Sequence, residues 1–152
     1  MIGHAGFLGH YHAGATYHAD DNHSLELSLG NYEMDNRNFF QLNFGYAYSR
    51  WHWQIEEFNI EPLRFGPYVF YAFDNSKYFL QVPHRYADRS YYQQSGLHLA
   101  LHLGSAITIK ENLRFIIFTM IIDEAFIIIY NNPGEQIDQT FMSTGIILEW
   151  ML

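Results

Sequence analysis

Apolar and polar residues alternate along most of this chain with a period of two. The clearest run is "GLHLALHLGS" at 96–105, where Leu97, Leu99, Leu101 and Leu103 alternate with His98, Ala100, His102 and Gly104. "SLELSLGNYEM" at 24–34 sets Leu25, Leu27 and Leu29 against Ser24, Glu26, Ser28 and Gly30. "FFQLNFGYAYSRWHW" at 39–53 sets Phe40, Leu42, Phe44, Tyr46 and Tyr48 against Gln41, Asn43, Gly45, Ala47 and Ser49. From Ile60 onward, Leu63, Phe65, Val69, Tyr71 and Phe73 oppose Arg64, Gly66, Tyr68 and Ala72. Residues 7–19 place Phe7, Tyr11, Ala13, Ala15 and Tyr17 on one parity and His10, His12, Thr16 and His18 on the other. At the C-terminus, Ile146, Leu148, Trp150 and Leu152 alternate with Ser143, Gly145 and Glu149. Successive side chains of a strand point to opposite faces, so each run predicts a strand with one apolar and one polar face.

Two further segments complete a set of eight predicted strands. "KYFLQV" at 77–82 has Tyr78, Leu80 and Val82 on one side. "LRFIIFTMIIDEAFIIIY" at 113–130 is apolar on both parities, which leaves its faces unassigned and leaves room for a bulge. The short polar connections "DNRN", "DNSK" and "KEN" alternate with "DDNH", 51–59, "PHRYADRSYYQQ" (83–94) and "NNPGEQID" (131–138). Counted from the first strand, the short turns fall on one end and the mostly longer loops on the other. That asymmetry predicts an all-β, up-and-down antiparallel barrel occupying residues 1–152 as one domain.

Charge and composition narrow the reading. With 8 Lys+Arg against 16 Asp+Glu the net charge is -8, which argues against nucleic acid as a partner. No cysteine is present, so disulfides and thiolate metal sites are excluded. Aromatics reach 18% while charged residues are 16%, below the usual level of about 25%. The most apolar run, 115–129, falls short of the about 20 residues a spanning helix needs and contains Asp123 and Glu124. The N-terminal residues lack the basic and continuous apolar regions of a signal peptide.

Two barrels fit the alternation. A soluble lipocalin-like barrel turns the apolar face inward around a ligand, whereas an outer-membrane barrel turns it toward lipid. The polar face is rich in Gly, Ala, Ser, Thr, Asn, Gln and His and poor in Lys and Glu, which suits a narrow lumen better than a solvated exterior. Tyr11, Tyr17, Tyr46, Tyr48 and Trp150 stand near strand ends, as an aromatic girdle would. On this pattern the whole chain resembles the small eight-stranded outer-membrane barrels, the class of OmpA- and OmpX-type anchors, adhesin-like barrels and lipid A deacylases. It departs from that class in ending "LEWML" where phenylalanine is usual. The resemblance implies a transmembrane barrel in the outer membrane, and the expected partners are its lipid and another envelope protein, docked on the apolar wall at 113–130, with no cofactor.

The candidate chemistry lies on the predicted lumen face, where His10, His12, His18, Glu26, Arg64, His98, His102 and Glu149 converge. Glu26 and Glu149 are expected to pair with Arg64, because an unpaired buried charge costs several kcal/mol. Hydrogen-bonded lumen packing explains the histidines most economically. His10 and His12, alternate on one strand, are the candidate metal ligands should a third come from elsewhere. No catalytic residue is assigned: the deacylases of this class carry a His and a Ser two apart, and no His-x-Ser exists here. The loop residues Arg85, Tyr86, Arg89, Tyr91 and Tyr92 are candidate contacts for phosphate or sugar groups. The expectation is a structural or interaction role, with a lipid A-modifying enzyme and a soluble ligand-binding barrel as alternatives.

Overall fold

The computed structural model describes residues 1–5, 7–34, 37–73, 96–110, 112–123, 125–126, 130 and 142–151. Its strands are β1 (Ile2–Ala5), β2 (Gly9–His18), β3 (His23–Met34), β4 (Arg37–Tyr48), β5 (Trp53–Ile55), β6 (Phe58–Ala72), β7 (Leu97–Ile109), β8 (Leu113–Ile122) and β9 (Met142–Trp150). All pairings are antiparallel, and they run β1-β2-β3-β4-β6-β7-β8-β9 and back to β1. Eight strands therefore close an up-and-down barrel. The short β5 folds against the start of β6 as a hairpin arm at one rim.

The alternation decides which side of the wall each residue occupies. Leu25, Leu27, Leu29, Phe40, Leu42, Phe44, Leu97, Leu99, Leu101 and Leu103 are exposed on the outside. Their neighbours Ser24, Glu26, Ser28, Gln41, Asn43, His98 and His102 are buried within. The polar parity thus fills the lumen and the apolar parity forms the outer surface, the reverse of a lipocalin-like barrel. The β8 segment, whose faces the sequence left open, puts Arg114, Ile116, Phe118, Met120 and Ile122 inside and Phe115 and Ile117 outside. With Phe70 and Ile147, the inner Ile116, Phe118, Met120 and Ile122 make an apolar cluster in the lumen. Leu8 joins that cluster because the β1–β2 turn folds inward, its carbonyls accepting from the side-chain amides of Gln41 and Asn43.

The strand count of eight holds, but its membership differs from the expectation. "IGHA" at 2–5 is a wall strand too short to carry an alternation signal. The 77–82 segment lies outside the described residues, and β6 pairs directly with β7, so the wall closes without it. Removing one strand reverses the end on which every later connection falls. The expected sorting of turns is therefore corrected: the turn between Met34 and Arg37 and the turn between Ile109 and Leu113 lie at opposite ends. One end, called here the terminal end, holds the start of β1, the finish of β9 and the connections 19–22, 49–57 and 110–112. The other, the loop end, holds the two longest, 73–96 and 123–141.

Two bulges break the parity. Gly3 faces His12 while Ala5 faces Gly9, so three steps on β2 answer two on β1. Gly9 takes a φ of 115, a conformation open to glycine. Glu61 faces Ala106 while Arg64 faces Gly104, so three steps on β6 answer two on β7. The second bulge turns both Glu61 and Arg64 into the lumen.

Close packing inside the wall also demands glycine, as at Gly45. Gly45 on β4 is paired with Tyr68 on β6, and a Cβ at Gly45 would run into the Tyr68 ring. Gly45→Val should lower stability by about 1–3 kcal/mol through overpacking. Combined with Tyr68→Ala it should cost less than the sum of the two single changes, read as midpoints of denaturant unfolding.

Candidate functional site

The lumen holds a chain of charged side chains built from five strands. Arg64, 1% exposed, donates from Nη2 to Ser24 Oγ at 3.1 Å and to Glu26 Oε1. Tyr68 donates its hydroxyl to the other Glu26 oxygen. The second Arg64 nitrogen, Nη1, lies 3.9 Å from Glu61 Oε2. Arg114 in turn donates to both oxygens of Glu61 and lies 3.7 Å from Glu149 Oε2. His18 completes the series, with Nε2 at 3.3 Å from Glu149 Oε1 and its ring within 3.3 Å of Arg114 Nη1. A guanidinium suits such a position because its fixed fork of donors can serve two carboxylates at once.

The pairing expected from the sequence is half realised. Glu26 meets Arg64, but Glu149 meets Arg114 and His18 instead. Arg114 was not legible as a lumen residue because β8 is apolar on both parities. Glu61 was hidden because only the bulge between Glu61 and Arg64 brings two residues of opposite parity to one face. No local sequence signal marks that bulge beyond Pro62 inside the strand.

The remaining candidates are scattered. His102 is buried between the rings of Tyr68 and Phe118, 5.5 Å from each. His98 stacks on Phe70 at 5.5 Å, with Nδ1 3.8 Å from Asp123 Oδ1. His12 is buried against Gly3. His10, expected in the lumen, is exposed beside His4 and Tyr11, because the β1–β2 bulge removes it from the parity of His12. The two candidate metal ligands therefore face different sides of the wall. Among the described residues no group of three or more His, Asp or Glu is arranged to hold a metal ion. Arg85, Tyr86, Arg89, Tyr91 and Tyr92 lie outside the described residues.

At the terminal end the charged chain opens into a pocket of about 470 Å³. Its rim is the β2–β3 turn with Asp20 and Asp21 and the β5–β6 arm with Gln54, Glu57 and Asn59. Glu61, Thr108 and Arg114 line its inner wall. The apolar cluster fills the lumen on the other side of the network, around Phe70, Met120 and Ile122.

If the charged chain holds the strands across the lumen, removing one cation must strand a carboxylate. Arg64→Met should cost about 3–5 kcal/mol because Glu26 is left buried without its main partner. Adding Glu26→Leu should recover much of that loss, measured as unfolding midpoints of both variants. Comparison of the chain with family models, with curated proteins and with solved structures finds no match.

Proposed function

We propose that this chain is a small outer-membrane β-barrel with a structural or interaction role, embedded in lipid and acting beside another envelope protein. One observation carries the reading: the outer surface of the barrel is dominated by apolar side chains, with no charged one among those described. Among the described side chains, no Asp, Glu, Lys or Arg points outward from the wall strands, while Leu, Ile and Phe cover it. Exposed single apolar residues are ordinary in soluble proteins, but a continuous apolar belt is not. Water would make such a belt costly, and hydrocarbon makes it favourable.

The belt has edges that suit a bilayer. Tyr17, Tyr46, Tyr48 and Trp150 stand toward the terminal end, and Tyr11 and Tyr71 toward the loop end. Amphipathic rings prefer the two interfaces of a membrane. Seven of the eight wall strands, from β9 with 9 residues to β6 with 15, match or exceed the roughly 9–11 residues a tilted membrane strand needs. The two longest connections, 73–96 and 123–141, share one end, as the long loops of an outer-membrane barrel do. No described helix is long and apolar enough to cross a membrane, so strands are the crossing elements under this reading.

A lumen filled by its own side chains neither conducts nor encloses a substrate, so the barrel acts through its wall and its rims. Ser24, Ser28 and Ser49 are buried inside, and Ser105 gives its hydroxyl to the Pro62 carbonyl. None of these four hydroxyls is hydrogen-bonded to a histidine as a deacylase would require, so the lipid A-modifying reading gains no support from them.

Leu101 lies in the apolar belt, half exposed between Pro67 and Ile121. In lipid vesicles Leu101→Arg should destabilise the fold by about 2–4 kcal/mol. On a water-facing surface the same change would stay within about 0.5 kcal/mol, and that result would overturn the membrane reading. A second measurement addresses the closed lumen. The barrel reconstituted in a planar bilayer should give no steady conductance of porin size.

A further inference from the structure

We propose that the pocket at the terminal end binds a small organic cation bearing several amine groups, a linear polyamine. The first ground is the charge of the lumen. The network that reaches the pocket wall through Glu61, Arg114 and His18 has three carboxylates, Glu26, Glu61 and Glu149, against two guanidiniums, Arg64 and Arg114. One negative charge is unmatched, and His18 answers it only when protonated. The rim adds Asp20, Asp21 and Glu57. The Lys110 ammonium lies 3.7 Å from Glu57, but both side chains are largely exposed, so that pair contributes little and exchanges readily with a ligand amine.

The second ground is unpaired hydrogen-bonding capacity inside the same cavity. Thr108 is 7% exposed, lines the pocket, and its hydroxyl has no hydrogen-bond partner among the described residues. The Asn59 side-chain oxygen is likewise buried and without a partner there. Buried polar side chains are normally satisfied, so the unpaired Thr108 hydroxyl, which opens on this polar cavity beside the undersatisfied Asn59, points to a partner from outside the chain. Asp20 is held in place on the rim, its Oδ1 accepting the backbone amides of Asn22 and His23 at 2.8 Å each.

Size and arrangement select the class of cation. A volume of about 470 Å³ suits a small organic molecule and far exceeds the space of one metal ion. The carboxylates are distributed around the cavity, and among the described residues they form no group that could hold a metal. Spaced acceptors on a rim and a wall match spaced N–H donors along a flexible chain. The site belongs to the mouth of the barrel and does not depend on what covers the outer wall.

The test is calorimetric titration of spermidine into the full chain folded in detergent at low ionic strength. Retention of the barrel in each variant is checked by its β-sheet circular dichroism. One saturable site is expected. Asp21→Asn combined with Glu57→Gln should weaken it by about tenfold or more, since each removes a charge-assisted hydrogen bond. Thr108→Val, which leaves the charge unchanged, should weaken it several-fold in a folded barrel. Binding that does not saturate, or that is indifferent to Thr108→Val, would reduce the pocket to a diffuse acidic surface and overturn the proposal. Magnesium occupying the same site as tightly as spermidine would overturn it in favour of an inorganic cation.

Discussion

Burying charge in a space with no room to spare is the constraint around which this barrel is organised. An interior of eight strands admits little besides side chains, and an ion left there without a partner costs several kcal/mol. The chain answers with two arginines that act as struts. Arg64 reaches from β6 to Ser24 and Glu26 on β3. Arg114 reaches from β8 to Glu61 on β6, Glu149 on β9 and His18 on β2. Strand pairing alone connects neighbours around the wall; these side chains connect strands across it. Removing a strut is expected to cost more than removing an apolar neighbour, since the carboxylate it served stays behind.

The β6 bulge shows how the constraint is met. Regular alternation would put Glu61 and Arg64 on opposite faces of the strand, with one of them on the apolar exterior. Inserting one residue at Pro62–Leu63 turns both inward, where Glu61 serves both arginines. The β1–β2 bulge does the opposite for His10, which leaves the lumen, while the turn beside it sends Leu8 inside. Each irregularity thus alters which side chains the lumen receives. Gly45 contributes in a third way, its missing side chain making the space in which the Tyr68 ring lies beside Glu26.

Inside and outside divide the functional possibilities in the same manner. The wall presents hydrocarbon to its surroundings, and the membrane reading rests on that surface. The lumen is blocked by its apolar cluster toward the loop end and by the ion network toward the terminal end. What remains accessible from solution at the terminal end is the acidic mouth, continuous with a network that has a surplus of negative charge. The polyamine proposal concerns that mouth, and the membrane proposal concerns the wall, so they stand on different residues.

Much of the fold was legible in the residue pattern, because a strand with one apolar and one polar face must alternate. The all-β class and the inward facing of His12, Glu26, Arg64, His98, His102 and Glu149 all follow from period two. Alternation is a local property, however, and says nothing about which parity a bulge will exchange or which strand will lie beside which. It therefore missed β1, whose four residues are too few to show a period, and it placed His10 on the wrong side. It could not find Arg114, since a strand whose inner face is lined by Ile116, Phe118, Met120 and Ile122 looks apolar throughout. The partners of Glu149 and the double use of Glu61 were decided by barrel closure, which brings side chains from distant strands into one narrow space where each charge must find an opposite one.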